Sequence, residues 1–218
     1  MRKIWLIVLF TSLSVIAFSQ SKLGLKFSPA ISSTRSSLVD TLYDVEPEAS
    51  SFKFSIGLIY DHELTETYFL STGLIFVPKQ VSFTATPEAD QPTAKAFDEP
   101  TQEYRLNYLQ IPVSLKLFTN EIQPDMKIFF QVGMAPEIQV FSEPVEEEYD
   151  LIDEFKPIDL SILFGGGVEY RAGVNTTLFG SITYQRALLN TLSKVDYDFQ
   201  EELYLRSTIV SLDLGIKF

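Results

Sequence analysis

Apolar and polar side chains alternate along most of this chain, which is the pattern of strands with two different faces. In the final segment, residues 207–218, Leu212 and Leu214 lie on an apolar row, whereas Ser211 and Asp213 lie on the other row. Eight segments of this kind are predicted, and helical periodicity is convincing nowhere. They are residues 22–31, 52–62, 67–78, 104–118, 126–141, 157–171, 176–187 and 207–218.

The connections between these segments alternate between long and short. The short ones are residues 62–66, 119–125 and 172–175, and the long ones after the second strand are residues 79–103, 142–156 and 188–206. In an up-and-down antiparallel arrangement all long loops emerge at one end, as in outer-membrane barrels with long extracellular loops and short periplasmic turns. Most of the 29 acidic residues fall in the long segments, so an acidic extracellular end is predicted.

Side-chain size indicates which row faces the inside. The interior of an eight-stranded barrel is just wide enough for side chains to fill, and the polar row is also the small row, as at Ser28, Ser55, Ser211 and Gly215. The bulky row is therefore expected to face outward, where so large an apolar belt needs lipid. The predicted fold is all-β, an eight-stranded antiparallel up-and-down transmembrane β-barrel. A soluble ligand-binding barrel, which would also alternate, is the alternative.

Tyrosines are expected to contribute to an aromatic girdle at the membrane interface, because the sole tryptophan precedes the first strand. The candidates are Tyr60, Tyr68, Tyr108, Tyr170 and Tyr184.

The N-terminus has the features of a secretory signal. A basic start, an apolar run to Phe18 and a small-x-small site at residues 17–19 predict a signal peptide over residues 1–19, cleaved before Gln20. The apolar run falls short of the roughly 20 residues of a spanning helix, so a membrane anchor is the weaker alternative. The barrel domain is then expected to occupy residues 20–218.

Composition argues against several functions. There is no cysteine, which removes disulfides, thiolate metal sites and cysteine nucleophiles. The formal net charge of −12 disfavours a nucleic-acid partner. A hydrolase would need a histidine base near a serine, and the single histidine, His62, is interpreted as a solvated turn residue. No catalytic residue, cofactor or metal site is predicted.

Two groups of charged residues remain as candidate sites. The acidic run at residues 146–154 could attract Ca²⁺ but lacks the spacing and glycine of a calcium loop, so a solvated loop is favoured. A set of charges is predicted to point inward near the short-turn end and to close the barrel with ion pairs, because buried charges normally pair. Its members are Lys26, Asp61, Lys116, Lys127, Glu169, Arg171, Asp213 and Lys217. A conducting pore is the disfavoured alternative.

Four segments together resemble the PorT-like outer-membrane β-barrel family of Bacteroidetes. They are GLKF at 24–27, YLQIPVSLK at 108–116, GGGVEY at 165–170 and LDLGIKF at 212–218. The resemblance implies an outer-membrane barrel in contact with lipid and inserted by the general barrel-assembly machinery, which in such proteins reads a terminal aromatic residue, here Phe218. It also implies a possible accessory role, with secretion-system proteins as partners, in type IX protein secretion.

The function expected from the sequence is therefore a non-enzymatic outer-membrane barrel, whose loops or periplasmic end dock a partner. The alternative is a structural or small-solute barrel without a role in secretion. The glycine triplet at residues 165–167 is not interpreted as a phosphate loop, since no helix follows it.

Overall fold

Strands form wherever the two-faced alternation is present. The computed structural model describes residues 21–38, 43–47, 50–87, 101–145, 154–189, 192–194 and 203–218. The strands are β1 (Ser21–Leu38), β2 (Tyr43–Pro47), β3 (Ser51–Glu63), β4 (Tyr68–Pro87), β5 (Thr101–Gln110), β6 (Val113–Gln123), β7 (Met126–Pro144), β8 (Glu154–Phe155), β9 (Ile158–Arg171), β10 (Thr177–Ala187), β11 (Leu192–Lys194) and β12 (Leu203–Lys217). No helix among the described residues has the length and apolarity needed to cross a membrane.

The sheet closes on itself, because β1 pairs antiparallel with both β3 and the final strand β12. The wall continues from β12 through β10 and β9 to β7, and from β3 to β4. β5 and β6 together complete it between β4 and β7. The break between them is at Pro112, which has no N–H to donate to a neighbouring strand. Counted this way the wall has eight strands, and the predicted eight-stranded antiparallel barrel is confirmed.

The bulky row faces outward over the half of the wall nearer the short turns. Leu25, Phe54, Ile56, Ile182 and Leu212 are each about half exposed. The serines of the opposite row point inward and are buried, namely Ser28, Ser55, Ser71, Ser114, Ser161, Ser181 and Ser211. The result is a continuous apolar belt around a polar interior, which is the arrangement of a barrel that meets lipid.

The strands extend further at the long-loop end than the sequence predicts. β1 was expected to end at residue 31 and β4 at residue 78, but they run to Leu38 and Pro87. In β4 the outward row changes from bulky residues to Pro78 and Gln80, whereas the inward row continues with Val77, Lys79 and Val81, which are buried. The prediction stopped where the outward row ceased to be bulky, although the strand itself continues.

The interior holds more large side chains than the sequence-based argument allowed. Tyr104, Leu106, Phe129 and Phe179 are all buried inside the barrel, so the expectation that only small residues fit there is wrong. Tyr108 is completely buried as well, which excludes it from the interfacial girdle. It lies on the inward row because it alternates with Leu109, a member of the outward row. Among the other girdle candidates, Tyr68 and Tyr170 are each exposed over nearly half of their surface.

A charge placed in the middle of the apolar belt tests this assignment. We expect Leu212→Arg to destabilise the barrel in lipid by about 2–4 kcal/mol, the cost of an arginine at the bilayer midplane. The matched control is Leu64→Arg, because Leu64 is also half exposed but lies in a short turn beyond β3. Urea unfolding in liposomes, followed by heat-modifiable gel migration, measures both. Equal loss of stability in the two variants would contradict a lipid-facing belt.

Candidate functional site

Charged side chains inside the barrel gather in three groups along its axis. The group nearest the short turns, called the short-turn cluster, consists of Asp61, Lys116, Glu169 and Lys217. Nζ of Lys116 lies 2.9 Å from Oδ2 and 3.0 Å from Oδ1 of Asp61. Lys217 donates to both Asp61 and Glu169 and therefore joins the two carboxylates. The cluster has two positive and two negative formal charges, so it is neutral as a whole.

Four different strands supply this cluster. Asp61 comes from β3, Lys116 from β6, Glu169 from β9 and Lys217 from β12. Each residue lies on the inward row of its strand, so closure of the barrel brings them together. Each ion pair joins two strands that are separated in the wall by one other strand, so the cluster links strands that are not hydrogen-bonded to each other.

Aromatic rings pack around these ammonium groups. The Lys217 Nζ lies 5.1 Å from the centroid of the Phe179 ring, and the Lys116 Nζ lies 5.4 Å from that of Phe129. Both distances fall in the range of cation–π attraction. Gly215 makes room for this packing, because a Cβ at that position would overlap the Phe179 ring. The small inward residues thus accommodate large ones across the interior.

The central cluster is built on a single ion pair. Lys26 Nζ lies 3.3 Å from Oδ2 of Asp213. The Asp213 carboxylate also accepts hydrogen bonds from Thr183 Oγ1 at 2.7 Å and from Ser211 Oγ at 2.9 Å. Gln131 donates from Nε2 to Thr183 Oγ1 at 3.0 Å, which extends the network to β7. Asp213 is therefore buried with a cationic partner and two hydroxyl donors.

The long-loop cluster was not predicted from the sequence. Lys79 donates to Glu137 and lies 3.2 Å from Oδ2 of Asp159, and all three side chains are almost completely buried. Gln110 Nε2 donates to Glu137 Oε1 at 2.7 Å and to Gln185 Oε1 at 2.9 Å. With one lysine and two carboxylates, the cluster carries a formal charge of −1.

The alternation of inward and outward residues along the strands could have revealed the members of this cluster. Glu137 and Asp159 both lie within predicted strands and on their inward rows. Lys79 continues the inward row of Ile75 and Val77, one residue beyond the predicted end of its strand. No sequence pattern gives the register, however, and the register is what places these three residues together.

Two members of the predicted charge set lie outside the three clusters. Lys127 is half-buried and lines an open cavity of about 900 Å³ at the short-turn end, which we call the vestibule. Arg171 is exposed at its rim, where Nη1 lies 3.8 Å from Oδ1 of Asp125. Other charged residues around the vestibule are Lys22, Glu63, Glu66 and Glu121.

The vestibule does not continue through the barrel. Its inner end is formed by the short-turn cluster, including Asp61, Glu169 and Lys217. The two further cavities described within the barrel measure about 40 and 10 Å³, which is room for only a few water molecules. The side chains of the described residues therefore fill the middle of the barrel.

The remaining sequence-predicted candidates contribute no site. His62 is half-buried within β3 and is not a turn residue, since the turn begins after Glu63. Among the parts of the chain that the structure describes, no group of three or more histidine or acidic side chains is placed to hold a metal ion. Most of the acidic run at residues 146–154, the candidate for Ca²⁺, lies outside the described residues.

An antiparallel barrel with an apolar outer belt, short turns at one end and a filled polar interior defines the class of small transmembrane β-barrels. Residues 18–193 match the family described as outer membrane protein beta-barrel domain. The chain belongs to this family, and it is an outer-membrane β-barrel protein. No curated protein matches it in sequence.

Solved structures of other proteins are similar to this chain. The chain is similar to the outer membrane protein OprG from Pseudomonas aeruginosa, with 9% identity, a TM-score of 0.55 and coverage of 91% of this chain and 96% of OprG. It is also similar to Neisserial surface protein A, with 13% identity, a TM-score of 0.48 and coverage of 90% of this chain and 97% of that one. At these identities, the similarity to OprG supports the fold and does not extend to function.

Proposed function

We propose that this protein is a non-enzymatic, closed outer-membrane barrel that acts through its ends and outer surface, without conducting solutes along its axis. The observation that carries this proposal is the stack of three buried polar clusters, two of which are Lys116–Asp61–Lys217–Glu169 and Lys79–Glu137–Asp159. Inward-pointing charges in a conducting pore would be hydrated, whereas these lysines are paired and almost completely buried. The predicted role of the inward charges, closure of the barrel, is thus supported for six of the eight residues.

The alternative is a small-solute barrel, and solute flux distinguishes the two. Liposomes that contain the purified protein should not swell in iso-osmotic solutions of arabinose or glycine, with a large open porin as the positive control. Swelling at a rate that increases with the amount of protein would overturn the closed-barrel proposal.

A more specific proposal is that this barrel has an accessory role in type IX protein secretion. It is supported by the resemblance of residues 108–116 and 212–218 to PorT-like barrels, and the vestibule offers a mixed-charge cavity for a partner at the expected periplasmic end. Deletion of the gene should lower the export of secreted cargo and impair gliding, and the intact gene supplied in trans should restore both. Normal export and gliding in the deletion strain would leave the structural role and exclude the secretion role.

Phe218 is proposed to act as an assembly signal at the end of β12. It is more than half exposed on the outward face, and its backbone N–H donates to Leu23 O at 2.7 Å. Since its side chain is free of interior packing, Phe218→Asp should lower the amount of barrel in the outer membrane several-fold, whereas Phe218→Tyr should not. Both variants should refold in detergent. Equal membrane yields for Phe218→Asp and the wild type would contradict the proposed role.

A further inference from the structure

Two exposed arginines lie close together on the outward face, just beyond the apolar belt at the long-loop end. Arg186 is in β10 and Arg206 in β12, and both side chains are exposed. The register places Arg35 of β1 directly opposite Arg206, and Arg186 opposite Thr208. Because Arg186 and Arg206 are diagonal neighbours on one face of the sheet, they form one outward patch, which we call the arginine patch; Arg35 occupies the register position opposite Arg206.

The spacing brings positive charges into proximity. Directly opposite residues have Cβ atoms about 4.5–5.5 Å apart, and diagonal neighbours remain within reach of long side chains. Arg35 and Arg206 occupy directly opposite positions, and Arg186 is the diagonal neighbour of Arg206 across β10 and β12. Like charges in directly opposite positions are destabilising, and a bound anion would offset their repulsion.

The protein supplies no described counter-charge at this place. The outward rows of β1, β10 and β12 contain no acidic residue within the ranges of these strands, although the whole chain has a net charge of −12. Neither Arg186 nor Arg206 forms an ion pair with a described residue. Arg105 differs, because this exposed arginine of β5 lies 4.0 Å from Glu143 of β7.

The position of the patch indicates what supplies the anion. Tyr184 and Ile182 precede Arg186 along the outward row of β10, and Val210 and Leu212 follow Arg206 in β12. These apolar residues belong to the belt that meets lipid tails, so the arginines lie at the level of the headgroups. Guanidinium groups bind phosphate oxygens through paired hydrogen bonds. We propose that the arginine patch binds the phosphate group of a membrane lipid.

The test is native mass spectrometry of the full barrel released from mixed micelles of phosphatidic acid and phosphatidylcholine with identical acyl chains. The wild type should retain phosphatidic acid in preference to phosphatidylcholine. The double variant Arg186→Gln/Arg206→Gln should reduce that preference at least about tenfold, since it removes charge-assisted hydrogen bonds. The matched control Arg105→Gln removes an exposed arginine that has its own carboxylate and should leave the preference unchanged. Heat-modifiable migration verifies that each variant is folded.

Three results would overturn the proposal. One is an equal preference in the wild type and the double variant. Another is complete displacement of phosphatidic acid by inorganic phosphate, which would identify a site for free anions. The third is an unchanged lipid preference together with loss of a co-purifying acidic protein in the double variant, which would assign the patch to a protein partner.

Discussion

Lys217→Met is expected to destabilise the barrel by about 3–5 kcal/mol, the cost of removing one partner from a buried ion pair. Lys217 donates to both Asp61 and Glu169, and its side chain is 1% exposed. The methionine fills a similar volume but leaves the Glu169 carboxylate without its lysine and Asp61 with Lys116 alone. Equilibrium unfolding by urea in detergent micelles or liposomes measures the change.

Two further variants separate the loss of an ion pair from the loss of a lysine. Lys127→Met removes a half-buried lysine that has no ion pair with any described residue, and we expect a change below about 1 kcal/mol. The double variant Lys217→Met/Glu169→Gln also removes the carboxylate that loses its lysine, keeps the buried Lys116–Asp61 pair, and should recover part of the lost stability. If Lys127→Met were as destabilising as Lys217→Met, the ion pairs would not be the cause.

Glu137→Ala is expected to have an effect of similar size at the other end of the barrel. Glu137 is completely buried and accepts hydrogen bonds from Lys79 and Gln110. The substitution creates a cavity and leaves the Gln110 amide short of an acceptor, so a loss of about 3–5 kcal/mol is expected. Unfolding in urea again provides the measurement.

β7 also supplies the control, since Glu143 lies six residues further along the same strand. Its carboxylate is about half exposed and 4.0 Å from Arg105, so Glu143→Ala should cost at most about 1 kcal/mol, as exposed ion pairs do. Glu137→Gln should be milder than Glu137→Ala, because glutamine fills a similar volume and keeps an oxygen that can accept the hydrogen bond from Gln110. A result in which Glu137→Ala and Glu143→Ala are equivalent would contradict the importance of the long-loop cluster.

Sequence alternation predicted the barrel because a side-chain period of two is a local property. The outward belt and the inward serines followed from it, as did the inward rows of Asp61, Lys116, Glu169 and Lys217. The prediction of strand ends failed where the environment changes along a strand. Beyond the belt the outward row of β4 is no longer bulky, as at Pro78 and Gln80, although the strand continues past its predicted end to Pro87.

Pairing between distant residues could not be predicted from one sequence. Lys79, Glu137 and Asp159 meet because three strands have a particular register, and each residue appears unremarkable in its own segment. Arg171 shows the opposite failure, since it is the last residue of β9 and its exposed side chain lies beside Asp125 of the turn between β6 and β7. Alternation assigns side chains to the inside or the outside within strands, but it does not do so where the strands end.

The closed interior is the central claim, and single-channel recording in planar lipid bilayers tests it most directly. Protein that is folded by heat-modifiable migration should insert without producing discrete conductance steps, because three polar clusters and the packed rings around them occupy the interior formed by the described residues, where two cavities measure about 40 and 10 Å³. Reproducible steps of uniform size from the wild-type protein, absent from mock preparations, would contradict the account and establish a conducting pore.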